Sequence, residues 1–257
     1  MNEDSLERVL KLRWIVLVMM GVVVFGCYYA YDSVVPIADQ IIKDMDVTRA
    51  QYGLLFSYYS FPNLLMVLLG GMFLDKFGIR KAGSIFVTLC VIGVFMTAVG
   101  GTRSFQLMLW GRLLYGIGAE SLSITQIKVM SKWFKGKELA FAMGLYITLV
   151  RLGNFASLNL GAPIQSWSGS WKLALWVAFG TIVISFVVFM IYRRLDKAKE
   201  ANSKREKMKL PRKNSYSVKS SNSNLHSGSS RSCALRFIRR FCLSLPFPIS
   251  SSRTNIL

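Results

Sequence analysis

Six apolar runs, each of about twenty residues, fill most of the first 192 positions, and they constrain the fold more than any motif does. They lie approximately at 14–30, 52–74, 82–101, 105–129, 139–163 and 173–192. A bilayer core about 30 Å thick takes roughly 20 helical residues at 1.5 Å rise each, so each run is long enough to cross. The fourth is the weakest by hydropathy because it carries Arg112 and Glu120. Gly21, Gly26, Pro62 and Gly93 inside the runs are no objection, since helices in lipid tolerate both residue types. With 53% of 257 residues hydrophobic and only 18% charged, a soluble domain is excluded. No A-x-A-like site follows the first run, which therefore reads as a retained signal-anchor. The expectation is an all-α membrane protein with six transmembrane helices.

The net charge of +19 is unevenly placed. Residues 193–257 hold 16 Lys/Arg against three acids, a net +13, whereas residues 1–192 hold 16 against 10. If the six runs span, one side collects Arg8, Lys11 and Arg13, then Lys76, Arg80 and Lys81, then Lys132, Lys135 and Lys137, and finally the tail. The other side has Lys43, Arg49, Arg103 and Lys172, the first two among Asp39, Asp44 and Asp46. Lys/Arg excess marks the cytoplasmic side, so both termini are expected there. The expected organisation is a cytoplasmic N-terminus over 1–13, a membrane domain over 14–192 and a basic cytoplasmic tail over 193–257.

Chemistry of other kinds finds little support. Cys27, Cys90, Cys233 and Cys242 have no metal-ligand spacing, and His226 is the one histidine. There is no nucleophile motif and no phosphate-binding G-x-x-x-x-G-K-[ST] loop, so neither enzyme activity nor a cofactor is expected. The basic tail lacks a recognisable fold or aromatic platform, which argues against nucleic acid and for contact with the lipid surface.

Two motifs carry a family resemblance. Residues 70–81, GGMFLDKFGIRK, place Gly71 four before Asp75, followed by Lys76, Gly78, Arg80 and Lys81. The glycines suit close helix approach and a tight turn, and Asp75 can pair with cations across helix ends. Arg112 and Gly116 in the fourth run form an R-x-x-x-G pattern. Both resemble the major facilitator superfamily, which assigns such residues conformational or gating roles. The strings CYYAYD (27–32), YYSFPN (58–63), GIGAESL (116–122), SKWFKGKEL (131–139) and RLGN (151–154) resemble its lysosomal dipeptide transporter family. That resemblance, over roughly 14–192, implies the N-terminal half of a twelve-helix carrier, a 3+3 inverted repeat. It also implies dipeptides as substrate, a lysosomal membrane and a glycosylated single-span accessory protein as partner.

Composition changes abruptly where the resemblance stops: 14 serines fall in the 51 residues from Ser203 to Arg253. Arg236, Arg239, Arg240 and two prolines interrupt the run from Cys233 to Ile249, so it should not span. The expectation is a disordered Ser-rich tail, best explained by a truncated or mis-spliced reading frame.

Glu120 and Arg151 stand out because a charge at a helix centre costs about 2.5–3.5 kcal/mol on insertion scales and faces a cavity or a partner. Counted from the same expected membrane face, Glu120 is ~10 Å and Arg151 ~15 Å deep. Glu120 suits the ammonium of a dipeptide, and the Arg151 fork its carboxylate. The family resemblance also places substrate-binding residues at these positions. The alternative is a Glu120–Arg151 pair that only holds two helices together. Tyr28, Tyr31, Asp32, Tyr59 and Asn154 are further polar groups able to line the cavity, or simply to pack helices. The leading function is a uniporter-like carrier working by alternating access. The alternatives are a truncated, non-transporting membrane protein, or a carrier of another small organic anion or amino acid.

Overall fold

The structure, a computed structural model, describes residues 3–209, with side chains from 12 to 201. The described chain is helical: α1 (Glu3–Asp32), a 3₁₀ turn (Val35–Ile37), α2 (Ala38–Asp44), α3 (Arg49–Arg103), α4 (Phe105–Trp133), α5 (Lys137–Ser168) and α6 (Lys172–Lys209). Local signals set several boundaries. Thr48 caps α3 in a capping box, its hydroxyl accepting from the Gln51 backbone N–H at 3.2 Å while Gln51 Oε1 accepts from the Thr48 N–H at 2.8 Å. Ser104 is extended and separates α3 from α4. Gly169, with φ +68°, ends α5 in the left-handed conformation that glycine adopts without a Cβ penalty.

Among the described residues four stretches are long and apolar enough to cross a membrane: Leu12–Asp44, Arg49–Arg103, Lys137–Ser168 and Lys172–Ala201. The six runs expected from the sequence differ from this in two places. The second and third runs lie in one 55-residue helix, α3, broken by non-helical backbone at Gly78 (φ +75°, ψ 158°). The fourth run forms α4, which is long enough but not apolar enough, because Arg112 and Glu120 share it with Ser, Thr, Gln and Gly. Two further boundaries move. The helix begins at Glu3, well before Trp14, and α6 continues through 193–209, where a disordered tail was expected to start. Asp196 on that extension is buried between cations of α3 and α4, which gives the charged segment a reason to stay helical. The remainder of the expected tail, 210–257, lies outside the described residues.

The apolar core joins α1, α3, α4, α5 and α6 through residues such as Met20, Val24, Cys90, Leu122, Tyr146, Ile182 and Phe189. α4 packs chiefly on α3, and α1 on α5. The α3–α4 contact is backbone to backbone. A Cβ built on Gly93 would stand 2.8 Å from the Gly111 carbonyl oxygen, and one on Gly111 would stand 2.6 Å from the Thr97 nitrogen. Small residues let helices approach this closely where lipid supplies no hydrophobic drive for association.

Candidate functional site

Four helices turn polar groups toward one region. Each supplies residues three or four apart, the spacing that places side chains on one helix face. These are Tyr28 and Tyr31 on α1, Tyr59 and Asn63 on α3, Glu120 and Ser123 on α4, and Arg151 and Asn154 on α5. Asn63 lies beside the half-buried Glu120 carboxylate. Tyr28 has Ser123 beside its hydroxyl and lies within electrostatic range of both Glu120 and Arg151. Among the described residues no ion pair within 4.0 Å joins Glu120 to Arg151, and the Arg151 side chain is exposed. The two opposite charges thus face the same tyrosine while standing apart.

Tyrosines form a wall of this region. The Tyr31 and Tyr59 rings are 4.6 Å apart and the Tyr59 and Tyr115 rings 5.6 Å apart. Tyr28, Tyr31, Tyr59, Tyr115 and Ser123 enclose a void of about 10 Å³, the room one water takes. The Tyr115 hydroxyl donates to the Cys27 carbonyl and so ties α4 to α1. Asn154 Oδ1, on the turn of α5 after Arg151, is buried with no hydrogen-bond partner among the described residues.

Arg112 belongs to the packing behind this wall. It is 3% exposed, and its Nη1 donates to the Tyr31 carbonyl oxygen at 2.9 Å. Nε and Nη2 have no partner among the described residues, and the half-buried Asp32 lies within electrostatic range. Gly116, one turn on, packs against the Tyr59 backbone and Pro62, so a side chain there would drive α4 off α3.

The 70–81 motif sits apart, at the break in α3. Asp75 pairs with Lys128 of α4, Lys76 lies over the Phe77 ring at 5.8 Å, and Arg80 pairs with Glu200 and Asp196 of α6. Lys81 is exposed. Asp196, 2% exposed, lies 2.6 Å from Lys132 Nζ and 3.5 Å from Arg80 Nε. The expected role of Gly71 in close helix approach falls instead to its neighbour. A Cβ on Gly71 meets open space, whereas one on Gly70 would stand 2.7 Å from Ser121 Oγ, because Gly70 is on the face turned toward α4.

Reading the sequence missed Asn63, Ser123, Tyr115 and Tyr146, whose hydroxyl donates to Gln126 Oε1 at 2.9 Å within electrostatic range of Glu120. Asn63 and Ser123 were within reach of periodicity, standing four after Tyr59 and three after Glu120. Nothing in the spacing distinguishes Tyr115 or Tyr146 from core aromatics.

Comparison with known proteins gives a consistent picture. The sequence model of the Major Facilitator Superfamily matches residues 20–250. The lysosomal dipeptide transporter MFSD1 of Danio rerio is 35% identical over 199 residues, covering 73% of this chain and 43% of that protein. Its Homo sapiens counterpart is 39% identical over 150 residues, covering 58% and 32%. The chain therefore matches about a third to two fifths of the length of these curated relatives. A crystal structure of a bacterial homologue of the human lysosomal transporter Spinster, inward-facing and unoccupied, superposes with a TM-score of 0.52 at 21% identity. That match covers 70% of this chain and 42% of the other, and it supports the fold alone.

Proposed function

The chain belongs to the major facilitator superfamily, and from that membership we propose that it forms one six-span half of a secondary transporter for small peptides, working by alternating access. α3 supports the six crossings: 55 residues would extend about 80 Å, enough for two passes reversed at Gly78. α4, packed along α3, would be the remaining pass, its charges turned toward protein and cavity rather than lipid. On this reading 14–192 is the membrane domain in a 3+3 repeat. Both termini lie on the cytoplasmic side, and the membrane is lysosomal. A glycosylated single-span protein is the accessory partner. The relatives are transporters, so transport rather than catalysis is the activity.

The observation that carries the substrate assignment is the separation of Glu120 from Arg151 with Tyr28 in range of both. A dipeptide carries an ammonium and a carboxylate at opposite ends, which Glu120 and Arg151 complement, while the tyrosines and Asn154 supply neutral hydrogen-bonding groups. The test uses a carrier assembled from this chain and a second six-span half. Acetylating the peptide N-terminus should weaken binding to the unaltered carrier about 10- to 100-fold, the worth of one charge-assisted hydrogen bond. In Glu120→Gln the same blocking should cost severalfold less. Equal loss in both proteins would remove the ammonium site from Glu120.

A further inference from the structure

A sizeable cavity lies away from the proposed peptide site, where the Gly78 break in α3 meets α4 and α6. It measures about 630 Å³, and Arg80, Lys81, Lys128, Lys132, Arg193 and Lys197 all line it. The lining acids are Asp75 and Asp196, and Glu200 pairs with Arg80 from outside the lining, so the six cations exceed the acids by three. Three of the cations are engaged: Lys128 with Asp75, Lys132 and Arg80 with Asp196. Arg193 donates to Ser84 Oγ at 3.2 Å. Lys81 and Lys197 are exposed and make no ion pair among the described residues. Like charges gathered around one cavity repel one another, and an anion bound between them relieves that repulsion.

We propose that this cavity binds a headgroup bearing two phosphomonoesters, presented by a lipid of the adjoining leaflet. One phosphomonoester carries about −1.5 to −2 at neutral pH, so two of them offset the excess of three cations, which the single net charge of phosphatidylserine does not. Arg80 and Arg193 offer planar forks and the lysines point charges, the usual donors to phosphate oxygens. The lipid source follows from the cavity's flank. Phe77 lines it and stacks on Phe73 with centroids 5.7 Å apart, and both rings, with Met72, are roughly half exposed or more. That apolar edge gives acyl chains a surface continuous with the headgroup site. The bound phosphates compete with Asp75 and Asp196 for Lys128, Lys132 and Arg80, so occupancy loosens the ionic ties that α3 makes with α4 and α6.

The test is titration calorimetry on the full chain in neutral detergent with dioctanoyl phosphatidylinositol bisphosphate, its deacylated headgroup and dioctanoyl phosphatidylserine. Residues 210–257 keep their own cations in every protein, so the cavity is read from variants. Lys81→Gln/Lys197→Gln, which breaks no ion pair, should keep the melting midpoint and weaken the bisphosphate lipid about tenfold; Lys197→Gln alone should weaken it about threefold. Unchanged affinity in both variants overturns the site. Phosphatidylserine binding as tightly as the bisphosphate lipid overturns the phosphomonoester assignment. Headgroup and lipid binding equally well overturns the lipid source and leaves a free polyphosphate as ligand.

Discussion

Replacing Asp196 by Asn tests whether the ionic cluster fastening α6 to the α3 break contributes to stability. The carboxylate is 2% exposed and contacts Lys132 at 2.6 Å and Arg80 at 3.5 Å. Breaking a fully buried pair costs about 3–5 kcal/mol, because a charge is left without water or partner. Here the stranded charges would be Lys132 and Arg80, whose side chains are 45% and 32% exposed and regain hydration. Arg80 also keeps Glu200. The expected loss is therefore nearer 1–3 kcal/mol, roughly 3–10 °C in melting midpoint for a domain of this size. Asp75→Asn is the internal comparison. It removes a pair whose acid is 74% exposed, worth at most about 1 kcal/mol, and the midpoint should fall by less than ~3 °C. The assay is thermal unfolding of detergent-purified protein followed by size-exclusion fluorescence. A shift for Asp75→Asn equal to or larger than that for Asp196→Asn would refute the burial argument.

Other outcomes follow from the same geometry. Gly70→Val should lower the melting midpoint several degrees by overpacking Ser121, while Gly71→Val, facing open space, should change it by about a degree or less. Epitope tags at residues 1 and 257 should show equal protease protection in sealed vesicles, and a tag in 45–48 the opposite; termini on different sides would refute six crossings. Arg151→Lys in the assembled carrier should weaken peptide binding despite keeping the charge, because the bidentate fork is lost, whereas undiminished binding would leave Arg151 as only a nearby charge.

The parts of the fold legible in the sequence were those set by local pattern. Apolar runs located the long helices, and glycine with flanking charge located the break at Gly78. What escaped depended on tertiary contact. The helical extension of α6 past Tyr192 is a charged segment whose sequence resembles a solvated tail, yet Asp196 on it is buried between α3 and α4. The choice between Gly70 and Gly71 turns on which face of α3 meets α4, a rotation of about 100° per residue that apolar neighbours on both sides conceal.

The same distinction separates the charged residues of the membrane region. Arg112, Glu120 and Arg151 look alike in sequence, each an ionisable group in an apolar run, but packing divides them. Arg112 is 3% exposed, and its Nη1 holds the Tyr31 carbonyl and so joins α4 to α1. Glu120 is half-buried beside Asn63, and Arg151 is exposed. Arg112 Nη1 cannot turn to a ligand without giving up that helix contact, whereas Nε and Nη2 have no partner among the described residues. A ligand that did draw Arg112 away would therefore move α1 against α4. Glu120 and Arg151 have no ion pair to break among the described residues, so the zwitterion binding proposed for them would cost the fold little. On the proposed function, Glu120 and Arg151 make the ligand contacts and Arg112 registers the helix movement that follows.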